Sequence, residues 1–269
     1  MPELPETETI ARDLEELIAG GSIAAVTVRR PDVLRGATAT GIKKHLIGQT
    51  VDRVFRRAKT VVLQLSGDRF MLVTPRFTGS IQVAEPDEYA TVVLGLADGR
   101  TLVYRDVRRL GTVEVADREG YARFDARLGI EPLSPLFTAE ALSGILRSSS
   151  VAIKKTLMDQ RRVAGVGNIY ANEVLWLAGI DPSRESRRVP AERAEAIRDN
   201  LVGLLRAAIA ARGTTFRDYR DARNERGGFA SSLRAYGRGG LPCSRCGTRL
   251  AETWAIDGRS TVFCHRCQG

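Results

Sequence analysis

Residues 160–182 read QRRVAGVGNIYANEVLWLAGIDP. Gly165 and Gly167 let the backbone turn tightly, and Asn168 is placed to cap the helix that follows. A glycine-rich turn feeding a helix N-terminus exposes backbone N–H groups, and the helix dipole favours an anion there. In a basic chain that anion could be a nucleic-acid phosphate. A plain packing joint between two helices leaves the same trace, so the stretch marks a helical half and leaves its ligand open.

Its neighbours agree on helix. TAEALSGILR (138–147) and VAIKKTLMDQ (151–160) precede it, and PAERAEAIRDNLVGLLRAAIAARG (190–213) follows. In the last of these, Ile197, Leu201, Leu204 and Leu205 make one apolar stripe and Gly213 ends the helix. Residues 214–230 form a polar, glycine-containing loop. Beyond it all four cysteines fall within 27 residues, as Cys243 and Cys246 in CSRC and Cys264 and Cys267 in FCHRC, with 17 residues between the pairs. That is the spacing of a four-thiolate zinc site, in which two knuckles are brought together by a hairpin. A reducing compartment disfavours the disulfide alternative. Four thiolates leave no open position, so the expectation is one structural Zn2+ with His265 a spectator.

Upstream the pattern changes. LGIEPLSPLF (128–137) is a proline-rich bridge, and before it lie IAAVTV, TVDRVF, TVVLQL, FMLV, SIQVA, YATVVLGL and TLVYRDV, between residue 23 and about 115. These short β-rich runs, with turns at SGD and ADG, indicate a sandwich or barrel. Residues 4–19 read as a helix, with Ile10, Leu14, Leu17 and Ile18 at helical spacing, Pro5 in the first turn and Gly20-Gly21 at its end. The expected fold is α+β: an N-terminal β-sandwich flanked by helices, a helical domain, and a zinc hairpin. The expected domains are 1–129, 130–230 and 231–269.

The chain has 269 residues, 41 Lys and Arg against 32 Asp and Glu, and a net charge of +9. Such a balance favours polyanionic partners, nucleic acid before anionic membrane. No apolar run is long enough to span a bilayer, and no signal peptide precedes the acidic first ten residues. The expected location is the cytoplasm. With only His45 and His265 present, a histidine-based mechanism is disfavoured.

The opening MPELPE, RRAK at 56–59, RDVRRLG at 105–111, GVGNIYANE and the cysteine ribbon together resemble the formamidopyrimidine-DNA glycosylase and endonuclease VIII (Fpg/Nei) family. The resemblance runs from residue 2 to 268 and is nearer the Fpg branch. It implies a sandwich, a helix–two-turns–helix motif and a zinc hairpin on damaged double-stranded DNA, with the protein acting as a monomer. It also implies a bifunctional DNA glycosylase and abasic-site lyase, excising oxidised purines and cutting the strand by β,δ-elimination.

The resemblance gives the N-terminus its meaning. Met1 would be removed and the Pro2 amine would be the nucleophile. An α-amine titrates about two to three units below a lysine amine, and a helix N-terminus depresses it further. Attack on the sugar C1′ would give an iminium, a cationic electron sink. Glu3 carries over as general acid and Glu6 as a second acid that orients the site or relays protons. Lys59 carries over as the active-site lysine. Lys154, Gly167 and Asn168 match phosphate contacts, and Arg259 matches the zinc-finger arginine, which serves both binding and catalysis. Without the family, Pro2 reads as an ordinary terminus and the acids as a favourable first helical turn.

Three positions match the wedge that fills the gap left by an extruded base: Phe77, Arg108 and Leu110. The family pattern there is methionine, arginine and phenylalanine, so the first and third differ. Glu225 and Arg226 also depart from the usual basic residue and proline of the lesion loop. Those departures leave open oxidised pyrimidines or other lesions as substrates. A non-catalytic damage binder would need none of Pro2, Glu3, Glu6 or Lys59.

Overall fold

The computed structural model describes residues 2–217 and 219–269. Met1, whose removal the resemblance implies, lies outside them. Two compact units emerge: Met1–Arg127 with Ile209–Ala230, and Leu128–Ala208 with Ser231–Gly269. This differs from a division into three consecutive segments, because Ile209–Ala230 packs with the N-terminal unit.

The first unit begins with α1 (Leu4–Ile18), followed by β1 (Ile23–Val28), β2 (Leu34–Arg35) and α2 (Ala39–Leu46). Then come β3 (Val51–Arg57), β4 (Thr60–Leu65), β5 (Arg69–Thr74), β6 (Gly79–Val83), β7 (Ala90–Leu96), β8 (Thr101–Asp106), β9 (Thr112–Asp117) and α3 (Arg118–Asp125). The strands form a four-stranded sheet, β1-β7-β8-β6, and a five-stranded sheet, β2-β9-β5-β4-β3. All pairings in these two sheets are antiparallel except β2 with β9. The expected sandwich is therefore present, with its turns at SGD and ADG.

One core joins the inner faces to α1. Ile10, Leu14 and Ile18 meet Val61, Leu63, Val73, Ile81, Val92 and Leu94 there. Burying one such side chain stabilises by about 1.5–3 kcal/mol. The outer face of the five-stranded sheet is covered too. Val62, Phe70 and Leu72 pack under α3, where Tyr121 stacks on Phe70 at 4.5 Å between ring centroids. Neither α2 nor α3 is expected from the sequence. Each has only 8 residues, and α3 has no fully buried residue to leave an apolar stripe.

The second unit holds α4 (Ala139–Arg147), α5 (Ile153–Met158), α6 (Asn168–Ala178) and most of α7 (Glu192–Ala210), then the antiparallel hairpin β10 (Ala251–Thr253) and β11 (Thr261–Phe263). Ile197, Leu201, Leu204 and Leu205 are the buried stripe of α7, as the spacing requires. The hairpin packs on α6 through Trp176, Ala235, Leu250 and Val262, with Cys243 and Cys264 in the same cluster. No described helix is long and apolar enough to cross a membrane.

Candidate active site and nucleic-acid interface

The first turn of α1 is a buried acidic corner. Glu3 is the N-cap, and Glu3 and Glu6 make a reciprocal capping box, the Glu6 carboxylate accepting the Glu3 N–H at 2.9 Å. The other Glu6 oxygen accepts the Thr214 N–H at 2.7 Å, from the loop after α7. Glu6 is 0% exposed and Glu3 1%. A buried carboxylate held by two backbone amides is fixed in orientation, which suits a group that must align a neighbour. Pro2, directly before this cap, is buried as well.

Lys59 stands in the two-residue turn between β3 and β4, where Ala58 adopts φ 54°. Arg56 ties that hairpin to α1, with its Nε 2.8 Å from Glu8 and one guanidinium nitrogen donating to the Ala58 carbonyl at 3.1 Å. The Thr7 hydroxyl reaches the same carbonyl at 3.5 Å. Burial alone would raise the Glu8 carboxyl, but the charge and hydrogen bond of Arg56, with Arg12, hold it below its ordinary value. The Ala58 carbonyl, one residue before Lys59, is thus held against the first turn of α1, in the unit that also carries Pro2, Glu3 and Glu6. Glu8, given no role by the sequence, fastens the helix to the hairpin.

Phe77, Arg108 and Leu110 lie on two exposed loops. Phe77 is 44% and Leu110 39% exposed, and the Arg108 guanidinium sits 4.8 Å from the Phe77 ring centroid. Neither Phe77 nor Leu110 belongs to the sandwich core. One residue organises both loops: Asp106, 1% exposed. Its Oδ1 accepts the Thr78 hydroxyl at 2.6 Å and the Arg108 N–H at 3.2 Å. Its Oδ2 accepts the Gly111 N–H at 2.8 Å and the Tyr104 hydroxyl at 3.2 Å. A Cβ on Gly111 would lie 2.0 Å from the Tyr104 hydroxyl and 2.7 Å from the Thr74 carbonyl, so only glycine closes this loop. Sequence reading did not single out Asp106; a lone acid inside the basic run RDVRR was the available signal.

In the second unit the GVGN turn meets the hairpin. Gly165 adopts φ 87°, as a tight turn needs, but the helix cap is Gly167, and Asn168 is the first helical residue. The expectation that Asn168 caps α6 is corrected accordingly. Gly167 already supplies the extended N-cap backbone, and the Asn168 amide donates instead to the Ser260 carbonyl at 3.0 Å. Lys154 also departs from a solvent-facing phosphate contact. Its side chain is 0% exposed, with the ammonium 2.7 Å from the Thr261 hydroxyl, 3.2 Å from Asp257 and 3.3 Å from the Ser260 carbonyl. A buried ammonium needs such partners to offset its lost hydration. Lys154 and Asn168 thus converge on Ser260, beside the exposed Arg259. Asn172 completes the seam, accepting the Val262 N–H at 2.7 Å. Glu173, in the same motif, accepts the N–H groups of Arg234, Ala235 and Tyr236 at 2.7–2.8 Å; burial pushes its carboxyl up against their pull.

The sulfurs of Cys243, Cys246, Cys264 and Cys267 lie within 4.8 Å of one another. Sulfurs of a regular tetrahedron around zinc lie about 3.8 Å apart at a Zn–S distance near 2.3 Å, so the set fits one structural zinc. Hydrogen bonding to Thr248 draws the Cys246 thiol down to about 6, while Cys246 and burial push Cys267 up to about 12. A cation bound there would displace the thiol protons, since thiolates are the metal ligands. His265 is exposed and outside the cluster.

A sandwich with a capped acidic N-terminus, a glycine-turn helical unit and a four-thiol finger is a defined class, and comparison with known proteins identifies it. Three family profiles match in chain order. They are the formamidopyrimidine-DNA glycosylase N-terminal domain at residues 1–113, the formamidopyrimidine-DNA glycosylase H2TH domain at 128–220, and the zinc finger found in FPG and IleRS at 240–269. The formamidopyrimidine-DNA glycosylase of Roseiflexus sp. is 39% identical over 275 residues, and that of Desulfitobacterium hafniense 39% over 274, each alignment covering 100% of both chains. The structure of the MutM (Fpg) protein from Thermus thermophilus superposes with a TM-score of 0.91 at 36% identity, covering 100% of this chain and 99% of that one. Lactococcus lactis Fpg (MutM), in complex with DNA containing N7-benzyl-Fapy-dG, superposes with a TM-score of 0.92 at 32% identity, covering 99% of each chain. The chain belongs to the formamidopyrimidine-DNA glycosylase family.

Proposed function

We propose that this chain is a bifunctional DNA glycosylase and abasic-site lyase. It excises oxidised purines, 8-oxoguanine and formamidopyrimidines, from damaged double-stranded DNA in base excision repair. The observation that carries the reading is the corner at the start of α1, where Pro2 precedes a capping box of two buried acids. A mere DNA binder has no use for a buried, doubly anchored Glu6 behind an N-terminal proline.

In the proposed chemistry the Pro2 amine, freed by loss of Met1, attacks C1′ and the base departs with the glycosidic electron pair. Glu3 protonates the ring oxygen as the sugar opens. The resulting iminium acidifies the C2′ proton; its removal expels the 3′ phosphate, and a second elimination expels the 5′ phosphate. Glu6, fixed by two amides, holds Glu3 in line, and Lys59 contacts phosphate and assists the eliminations. Phe77, Arg108 and Leu110 fill the gap in the duplex and face the orphaned base. Arg259 forks a backbone phosphate, with Gly167 and Asn168 presenting backbone N–H groups to another. Lys154 acts through Ser260 and Asp257 by holding Arg259 in place. Zinc bound by the four cysteines supplies the rigidity of that hairpin and takes no part in the reaction. Residues 1–129 carry the chemistry, 130–230 the helical DNA contacts and lesion loop, and 231–269 the finger. The protein works as a monomer in the cytoplasm.

Borohydride reduction in the presence of abasic-site duplex tests this. Trapped protein should carry the DNA on residue 2 of a chain lacking Met1, and chemical blocking of the terminus should abolish trapping. Active enzyme that retains Met1, or a link at a lysine with a blocked terminus, would refute the nucleophile.

A further inference from the structure

Arg212 stands two residues after α7 in a left-handed conformation, φ 61°, which a side-chain-bearing residue adopts only under restraint. The restraint is visible. Its guanidinium lies 2.6 Å from Asp13 of α1 and 2.8 Å, through Nε, from Asp221 of the 214–228 loop. Both acids are withdrawn from water: the Asp221 side chain is 0% exposed and that of Asp13 7%. The second Asp221 oxygen accepts the N–H groups of Arg223 at 2.9 Å and Glu225 at 2.8 Å, so this one carboxylate folds the loop tip. Arg223 returns to α1, pairing with Asp13 and Glu16.

The clamp has two consequences inside the first unit. Arg212 fastens the chain between α7 and the loop to α1 through Asp13. The clamped loop also forms one wall of a cleft of about 440 Å3, contributing Arg217, Arg220 and Asn224 opposite Gln82 and Arg105 of the sandwich. Gln82 donates to the Asp221 carbonyl at 3.2 Å, tying that wall to the sheet.

We propose that Arg212, with Asp13 and Asp221, is a positioning residue for base excision: it holds the 214–228 loop in place in advance, so that an extruded base meets a formed wall. This rests on the glycosylase reading above. Removing a base requires that it be held outside the stack, whereas an abasic site has no base to hold.

The test is single-turnover kinetics of wild type, Arg212→Gly, Asp13→Asn and the double variant on 8-oxoguanine duplex and on preformed abasic duplex. Glycine suits the left-handed backbone, so Arg212→Gly removes the clamp without adding backbone strain at that residue. Base excision should fall about tenfold while abasic-site cleavage stays within about twofold, and the double variant should lose no more than Arg212→Gly alone. Amide hydrogen exchange at Arg223 and Glu225 should quicken in both single variants. Unchanged excision, or an equal loss on both substrates, overturns the proposal. A wild type that neither excises nor traps on borohydride overturns instead the glycosylase reading, and the exchange measurement still reports on the clamp.

Discussion

Replacing Asp106 by asparagine isolates the hub of the wedge loops. The carboxylate serves four donors, and an amide has one oxygen to offer. If that oxygen faces Gly111 and Tyr104, the new NH2 faces Thr78 and Arg108. The Thr78 hydroxyl can rotate to accept, and the Arg108 N–H keeps its 3.0 Å bond to the Thr78 oxygen. The opposite orientation strands the buried Gly111 N–H, so the first is preferred. It still exchanges charge-assisted bonds for neutral ones, at about 1.5–3 kcal/mol for a bond to a charged group. A net loss of about 2–3 kcal/mol should lower Tm by roughly 4–10 °C for a unit of this size. Differential scanning fluorimetry reads that shift. The functional consequence is specific: with Phe77 and Arg108 out of register, single-turnover excision of 8-oxoguanine should fall at least about tenfold, and cleavage of a preformed abasic site much less. A lowered Tm with unchanged excision would mean that the loops need no fixed geometry and would refute the wedge assignment. Equal loss on both substrates would place Asp106 in general folding.

Four other outcomes follow from the same geometry. Phe77→Ala should reduce base excision and change opposite-base tolerance while leaving abasic-site cleavage intact, as a lesion and mismatch panel would reveal. Lys154→Met leaves Asp257 paired with nothing from α5 and should cost the second unit about 3 kcal/mol, read by thermal unfolding, with weaker DNA binding in a gel-shift titration. Metal analysis should find one zinc per chain, and chelation or Cys246→Ser should abolish DNA binding while the first unit keeps its β-sheet circular dichroism. Glu8 is held below its ordinary value of 4.5; its contribution to stability is therefore complete above that pH and lost as pH falls through the lowered value. The Tm difference between wild type and Glu8→Gln should be full above pH 4.5 and shrink as the pH is taken below it.

Much of the molecule was legible in one dimension because the relevant interactions are local or periodic. Strand alternation, the turns at SGD and ADG, the stripe on α7 and the CxxC pairs each repeat over a few residues, and a short window contains the physics that sets them. The resemblance added what spacing alone does not carry, the reactive meaning of Pro2 and Glu3. Tertiary structure decided the rest. Whether Lys154 faces phosphate or the interior depends on Asp257 and Thr261, more than 100 residues away. The choice of Gly167 over Asn168 as cap depends on the Ser260 carbonyl that takes the asparagine amide. The polar helix α3 forms because Phe70 on β5 offers a ring to Tyr121. Arg212 and Asp13 are 199 positions apart, and nothing near either marks the pairing. Charged and polar side chains take their partners from whatever the fold brings within about 3 Å, since a buried ion left unpaired is too costly to survive. Their roles are consequently properties of the folded chain.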